Sequence, residues 1–207
     1  MTGRQGRAIA VLVAAVTLLA GCGGSAGSAG SAGSAAPARA ATATPSPAAD
    51  VSALPPCPTL ADARPRADGL PALRLECLGA GPAVRLSDLR GTPMVLTVWA
   101  AWCTNCAREA PLFTALHRKA GDKLRFFGVH YKAERGYGLA AARDFGVFYP
   151  SVHDADGDRT VRALRATAPP QTFFVTADGR VAEHHVGEIT SEHQLESLVS
   201  RYLGVSV

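Results

Sequence analysis

The sequence has no cluster of basic residues and no stripe in which basic and aromatic side chains alternate. Aromatic residues make up only 6% of the 207 residues, and the formal net charge is +4. Arg4 and Arg7 supply two of these charges, in a segment with no acidic residue before Asp50. Nucleic-acid-binding proteins concentrate positive charge on one face or along one helix. The composition therefore indicates no nucleic-acid partner.

The apolar run near the N-terminus is too short to cross a membrane. It extends from Ala8 to Ala20, whereas a spanning helix needs about 20 apolar residues. A positive start, a short apolar run and small residues after it predict a secretory signal. The run ends in Leu19-Ala20-Gly21-Cys22, which resembles the bacterial lipobox. This resemblance implies a lipoprotein signal peptide over residues 1–21 and lipidation of Cys22; the alternative is an ordinary signal peptide followed by an unrelated cysteine.

Residues 22–50 lack large apolar side chains. Four consecutive Gly-Ser-Ala triplets run from Gly24 to Ala35, and Pro, Ala and Thr predominate from there to Asp50. Such a composition cannot bury enough apolar surface to offset the entropy of ordering. We therefore interpret residues 22–50 as a flexible tether, with a root-mean-square reach of roughly 30 Å. The folded domain is predicted to span residues 51–207.

Apolar periodicity in this domain predicts strands alternating with helices, followed by a hairpin and a final helix. The expected strands lie at 73–75, 83–86, 94–99, 124–130, 151–152, 171–176 and 181–186, and the expected helices at 103–119, 139–145, 160–165 and 191–203. The first two strands form a hairpin. The Met94–Trp99 run is almost continuously apolar, interrupted only by Thr97, as in strands buried on both faces. This order predicts an α/β domain with a mixed sheet covered by helices.

The sequence contains a single Cys-x-x-Cys motif, formed by Cys103 and Cys106. A zinc ribbon needs a second such pair, so we predict no metal site. The motif lies where a predicted buried strand meets the start of a helix. Unpaired N–H groups and the helix dipole stabilise a thiolate there. Cys103 is therefore the expected nucleophile and Cys106 the resolving cysteine. A structural disulfide and a chance spacing remain as alternatives.

Three segments together resemble the TlpA/ResA-like branch of the thioredoxin superfamily. They are Val98-Trp99-Ala100-Ala101-Trp102-Cys103-Thr104-Asn105-Cys106-Ala107-Arg108-Glu109-Ala110-Pro111, Leu86-Ser87-Asp88-Leu89-Arg90-Gly91, and Pro170-Gln171-Thr172-Phe173-Phe174-Val175 followed by Asp178-Gly179-Arg180-Val181. The resemblance covers about Leu73 to Leu203. It implies a thioredoxin-like fold, with a mixed central sheet, flanking helices and an N-terminal β-hairpin extension. It also implies a thiol–disulfide oxidoreductase that needs no cofactor.

The resemblance implies that Pro170 is a cis-proline facing the cysteine pair, and that Trp102 and Pro170 contact the substrate. The alternative for Pro169-Pro170 is a plain break between strands. Pro169 departs from the family pattern, because proline has no backbone N–H to offer a substrate at this position. Asn105 is a second departure, since most members carry proline before the second cysteine.

Glu109 is the candidate for moving the proton of Cys106. Thioredoxins place a buried aspartate where this sequence has Thr97, whereas the resemblance implies that Glu109 takes that part here. Glu109 follows Cys106 by three residues and so lies on the same helical face. Burial would raise its pKa toward neutrality. The alternative is an ordinary surface acid.

Two cysteines remain once Cys22, Cys103 and Cys106 are assigned. Secretion permits disulfides, and a Cys57–Cys77 bridge would attach the lead-in segment to the first hairpin. Two free thiols, or a site shared with the Cys-x-x-Cys pair, are the alternatives. The six histidines form no HExxH motif. We interpret His130 as a partly buried residue at a strand end, with tuning of the active site as the alternative.

These features together predict an extracytoplasmic, lipid-anchored exchanger of disulfides with exported cysteine-containing proteins. The resemblance makes apocytochromes c candidate clients. It also implies a membrane thiol donor if the protein is a reductase, or an electron acceptor if it is an oxidase. One alternative is a thioredoxin-fold Cu(I) chaperone that uses the two thiolates, which suit soft metals. Another is a passive surface lipoprotein with two structural disulfides.

Overall fold

The computed structural model describes residues 54–207. The strands are β1 Arg74–Cys77, β2 Val84–Arg85, β3 Met94–Trp99, β4 Arg125–Tyr131, β5 Ser151–Asp154, β6 Gln171–Val175 and β7 Val181–Val186. The helices are α1 Thr104–Ala120, α2 Arg135–Phe145, α3 Asp158–Leu164 and α4 Glu192–Leu203. The predicted signal peptide (1–21), the lipidation site Cys22 and the tether (22–50) lie outside the described residues.

All seven strands join one sheet in the order β2-β1-β5-β4-β3-β6-β7. The pairs β3–β4 and β4–β5 are parallel, and the other pairs are antiparallel. This confirms the predicted mixed sheet of a thioredoxin-like α/β fold. The N-terminal hairpin β1–β2 is also present, and it pairs through β1 with β5. The extension therefore widens the central sheet.

The centre of the sheet forms the core. All six residues of β3 are buried, as its almost continuous apolar run predicted. Five phenylalanines of the domain are also buried; they are Phe113, Phe126, Phe127, Phe173 and Phe174. Within residues 54–207, no helix has the length and apolar character that a bilayer crossing requires.

One helix begins earlier than its sequence pattern predicts. The predicted helix at 139–145 begins one turn earlier, at Arg135. The sequence pattern does not predict this first turn, because it contains Gly136 and Gly138 and glycine has a poor intrinsic preference for helix. Packing explains Gly138, since a Cβ there would lie 2.6 Å from the ring of His130. Helix α1 extends from Thr104 to Ala120 and includes Pro111.

A disulfide joins Cys57 to Cys77, with 5.9 Å between their Cα atoms. Both residues are buried. The backbone N–H of Cys57 also donates to the carbonyl of Ala80 at 2.8 Å. Arg135, at the start of α2, donates to the carbonyls of Cys77 and Gly79 at 2.6 and 2.7 Å. The irregular lead-in is therefore attached to the first hairpin, and the hairpin to α2.

Removal of this bridge should destabilise the domain. The cross-link closes a sequence separation of 20 residues, which corresponds to about 3 kcal/mol in the chain-entropy treatment. We expect the double substitution Cys57→Ser and Cys77→Ser to lower the free energy of unfolding by that amount in urea denaturation. The matched control is Cys103→Ser with Cys106→Ser, which opens a much shorter loop and should cost less. An unchanged unfolding free energy in the first variant would contradict this account.

Candidate active site

Cys103 and Cys106 form a disulfide at the N-terminus of α1, with 5.3 Å between their Cα atoms. Cys103 is the N-cap residue, and its sulfur accepts the backbone N–H of Cys106 at 3.1 Å. The unpaired N–H groups of a first helical turn carry partial positive charge. On reduction, this environment favours the thiolate of Cys103. Both residues are almost enclosed, at 5% exposure.

The peptide bond between Pro169 and Pro170 is cis. Val98 of β3 pairs with Gln171 of β6, so Pro170 lies beside the end of the strand that leads to the cysteines. The carbonyl of Pro170 accepts the N–H of Gly187 at 3.1 Å. Pro170 is buried and Pro169 is partly exposed. The antiparallel pairing of β3 and β6 therefore brings the cysteine pair and the prolines to the same end of these two interior strands.

A hydrogen-bonded pair of side chains supports the turn before these prolines. The amide nitrogen of Gln171 donates to the carbonyl of Ala168 at 2.8 Å. The side-chain oxygen of Gln171 lies 2.7 Å from Nε2 of His184, so His184 acts as the donor in this hydrogen bond. The His184 ring stacks on Phe173 with 4.0 Å between centroids. This pair was not predicted from the sequence, where its one signal is the position of Gln171 directly after Pro170.

Glu109 is buried, with only 1% of its surface exposed. One carboxyl oxygen accepts the backbone N–H of Ile189 at 2.5 Å. Burial raises the pKa of Glu109 to about 8; the Ile189 hydrogen bond opposes this rise and the charge of Glu188 adds to it. Glu109 is therefore not the surface acid of the alternative interpretation. A carboxyl group with such a pKa can donate or accept a proton near neutral pH.

Trp102 projects beside the cysteines, with 57% of its surface exposed. Its indole N–H donates to the carbonyl of Lys132 at 2.9 Å, and its ring lies 6.4 Å from that of Tyr131. Lys132 adopts a left-handed conformation with φ of 49°. One edge of the indole is thus anchored to the end of β4, while much of its apolar surface faces solvent.

His130 is completely buried, which corrects the expectation of a partly buried strand-end residue. It lies within β4, and the absence of a side chain at Gly138 leaves room for its ring. The ring is 4.8 Å from that of Trp99, and its Nδ1 is 3.1 Å from Nδ1 of His153. Burial and the neighbouring His153 lower the pKa of His130 to about 3. His130 is therefore neutral at physiological pH.

Within the part of the chain that the structure describes, no group of three or more His, Cys, Asp or Glu side chains is placed to hold a metal ion. The sulfurs of Cys103 and Cys106 are bonded to each other. The geometry of the site is that of a redox-active disulfide with a buried acid nearby.

Comparison with known proteins agrees with this geometry. The Redoxin family profile matches residues 65–199. Thiol:disulfide interchange protein DsbE of Pseudomonas fluorescens is 29% identical over 133 residues, which cover 64% of this chain and 72% of that protein. The protein of the same name from Vibrio cholerae is 30% identical over 135 residues, which cover 64% of this chain and 71% of the relative.

A solved structure shows the same fold. A secreted disulfide oxidoreductase of Mycobacterium tuberculosis superposes with a TM-score of 0.54 at 23% identity, over 63% of this chain and 96% of that one. The fold, the sequence matches and the Cys-x-x-Cys disulfide agree with one another. The chain therefore belongs to the Redoxin family, within the TlpA/ResA-like branch of the thioredoxin superfamily, and is a thiol–disulfide oxidoreductase.

Proposed function

We propose that this oxidoreductase exchanges disulfides with exported cysteine-containing proteins while it is lipid-anchored to the bacterial cell membrane. The observation that carries this proposal is the Cys103–Cys106 disulfide at the start of α1, with the cis Pro170 beside the same strand end and buried Glu109 one helical turn further on. The apolar leader, Cys22 and the tether at 22–50 support the location. The family resemblance makes apocytochromes c candidate clients, and a membrane thiol donor or an electron acceptor would restore the cysteine pair.

In the oxidising direction, a client thiolate attacks the sulfur of Cys103 and the Cys103–Cys106 bond breaks. A mixed disulfide forms, and Cys106 leaves as a thiolate. A second client thiolate then attacks the client's own sulfur in the mixed disulfide. The client disulfide forms, and Cys103 is released as a thiolate. Two electrons have passed from the client to the cysteine pair, and the reverse sequence reduces a client disulfide.

Glu109 supplies the proton that the leaving sulfur of Cys106 requires. Its pKa of about 8 keeps the carboxyl group mainly protonated at pH 7. Because Glu109 follows Cys106 by three residues in α1, the two side chains share one helical face. Transfer of the proton gives a neutral thiol and a carboxylate, and the reverse transfer regenerates a Cys106 thiolate when the pair is oxidised again.

Clients would be bound mainly through apolar contact beside the cysteines. Trp102 offers an exposed indole face that Lys132 holds in place. The backbone contributes less than is usual in the family, because Pro169 has no N–H and the carbonyl of Pro170 already accepts Gly187. Strand-like pairing with a client is therefore weakened at this point, which favours clients with an apolar side chain near the reacting cysteine.

The two cysteines should behave differently when each is replaced. Cys106→Ser leaves the attacking sulfur but removes the resolving one, so mixed disulfides with a protein client should accumulate. Cys103→Ser should form few of them, because Cys106 lies inside the helix behind the N-cap position. Non-reducing gels and mass spectrometry after reaction with insulin would measure this. Turnover at the wild-type rate by Cys103→Ser would contradict the proposal.

Glu109 should make the oxidised protein less stable as pH rises. The folded protein retains the proton up to about pH 8, whereas the unfolded chain releases it near 4.5. The unfolded state therefore binds fewer protons across this window, and stability falls from about pH 5 to 8 by up to about 1.4 kcal/mol per pH unit. Urea denaturation at several pH values should show this fall in the wild type and a flatter profile in Glu109→Gln.

Comparison of the wild type with Glu109→Gln separates the effect of Glu109 on stability from that of His130. The lowered pKa of His130 makes the folded state more stable as pH rises, which is the opposite direction. Disulfide exchange measured over the same pH range should change in slope near pH 8 only in the wild type. Parallel stability profiles in the two proteins would contradict the burial argument. A shared pH dependence of the exchange rate would contradict proton transfer by Glu109.

Lipidation is tested with the full chain in a bacterial host. We expect radiolabelled palmitate to be incorporated into the wild type and the protein to sediment with membranes, because two or more acyl chains hold a protein there. Cys22→Ala should lose both the label and the membrane association. Cys57→Ser with Cys77→Ser is the control, because it alters cysteines elsewhere in the chain. Label retained by Cys22→Ala would contradict the anchor.

A further inference from the structure

Three consecutive residues of the loop between β7 and α4 each bind a different part of the active site. The N–H of Gly187 donates to the carbonyl of Pro170 at 3.1 Å. The carboxylate of Glu188 accepts two hydrogen bonds from Arg108, at 2.7 and 2.6 Å. The N–H of Ile189 donates to Glu109 at 2.5 Å. This β7–α4 loop therefore connects the cis proline with the helix that carries the cysteines.

Arg108 is the side chain of α1 that binds the β7–α4 loop. Its guanidinium binds the Glu188 carboxylate through two parallel N–H groups, a geometry that arginine provides and lysine does not. One of its nitrogens also donates to the side-chain oxygen of Asn105 at 2.8 Å. Asn105 lies between the two cysteines, where the family resemblance predicts proline. The guanidinium thus links the residue between the cysteines with the loop that binds Glu109.

The charge of Glu188 influences the protonation of Glu109. Glu188 precedes Ile189, the residue that hydrogen-bonds Glu109, and its negative charge raises the pKa of Glu109. The hydrogen bonds from Arg108 lower the pKa of Glu188 and keep it ionised. Tyr149 is another titratable group that interacts with Glu109, since burial and the charge of Glu109 raise the pKa of Tyr149; the cysteine pair is joined in a disulfide and does not titrate. Arg108 supplies the positive charge that offsets Glu188.

We propose that Arg108 is a positioning residue of this active site, which holds the β7–α4 loop against α1 and neutralises the carboxylate of Glu188 beside Glu109. This inference rests on the proposed proton transfer by Glu109 for its catalytic meaning. Arg108 does not need to touch the client. It acts by fixing the position of Glu109 and by influencing the ionisation of that carboxyl group, which transfers a proton to Cys106.

The test uses two substitutions that break the same ion pair but change the charge in opposite ways. Glu188→Gln removes the negative charge and should lower the pKa of Glu109. Arg108→Gln leaves Glu188 uncompensated and should raise it. The double variant should fall between the two. The pKa would be followed directly by carbon-13 NMR of the glutamate side-chain carboxyl carbons in the oxidised full-length protein, with Glu109→Gln to assign the signal.

Two further variants separate the effect of charge on the pKa of Glu109 from the effect of a general disturbance of the structure. Arg108→Lys keeps the charge and should leave the pKa of Glu109 closer to the wild-type value than Arg108→Gln does. Arg143→Gln removes an exposed arginine of α2 that pairs with Asp144, and it should leave the pKa unchanged. If both single substitutions at the ion pair shift the pKa in the same direction, or neither shifts it, the inference is overturned.

The same experiment distinguishes this inference from the proposed function. The pH at which the exchange rate changes slope should move down in Glu188→Gln and up in Arg108→Gln, together with the pKa. If the NMR shifts are opposite in sign while Glu109→Gln exchanges disulfides with a wild-type pH profile, the positioning role of Arg108 is supported and proton transfer by Glu109 is overturned.

Discussion

The structure depends on the burial of β3 between β4 and β6. Every side chain of this strand is enclosed, and α1 begins shortly after its carboxyl end. Strand β6 runs antiparallel to β3 and starts beside that end, which brings Pro169 and the cis Pro170 to the side of the cysteines. A helix N-terminus and a sharp backbone turn thus meet at one place, and the sulfur chemistry follows from the electrostatics of that helix end.

A second constraint concerns the buried acid. Taking a carboxyl group out of water favours its neutral form, and the single backbone N–H from Ile189 only partly offsets this for Glu109. The outcome is an acid with a pKa of about 8, one helical turn beyond Cys106; in the proposed function it gives a proton to the leaving Cys106 thiolate. The β7–α4 loop controls this balance, because it contributes both the hydrogen bond of Ile189 and the charge of Glu188, with Arg108 bound to that charge.

Periodicity alone predicted most of the elements that position the site. The apolar run of β3 and the strand β7 were predicted with the bounds that the structure has. The first turn of α2 was missed, because glycines at 136 and 138 weaken a helical pattern that packing against His130 stabilises. His130 itself was expected to be partly exposed. Its enclosure depends on a glycine from another element, and a pattern along one strand does not contain that information.

The sequence by itself determined the alternation of strands and helices and the cysteine pair at a helix start, because these depend on neighbours along the chain. The resemblance to a known family added Pro170 and Glu109 to the candidate site. Only the tertiary structure decided which side chains surround them. Arg108 and Glu188 are eighty positions apart, and His184 and Gln171 meet across two strands. Their bonds depend on sheet register and on the path of a loop, which arise when distant segments pack together and leave no local signal in the sequence.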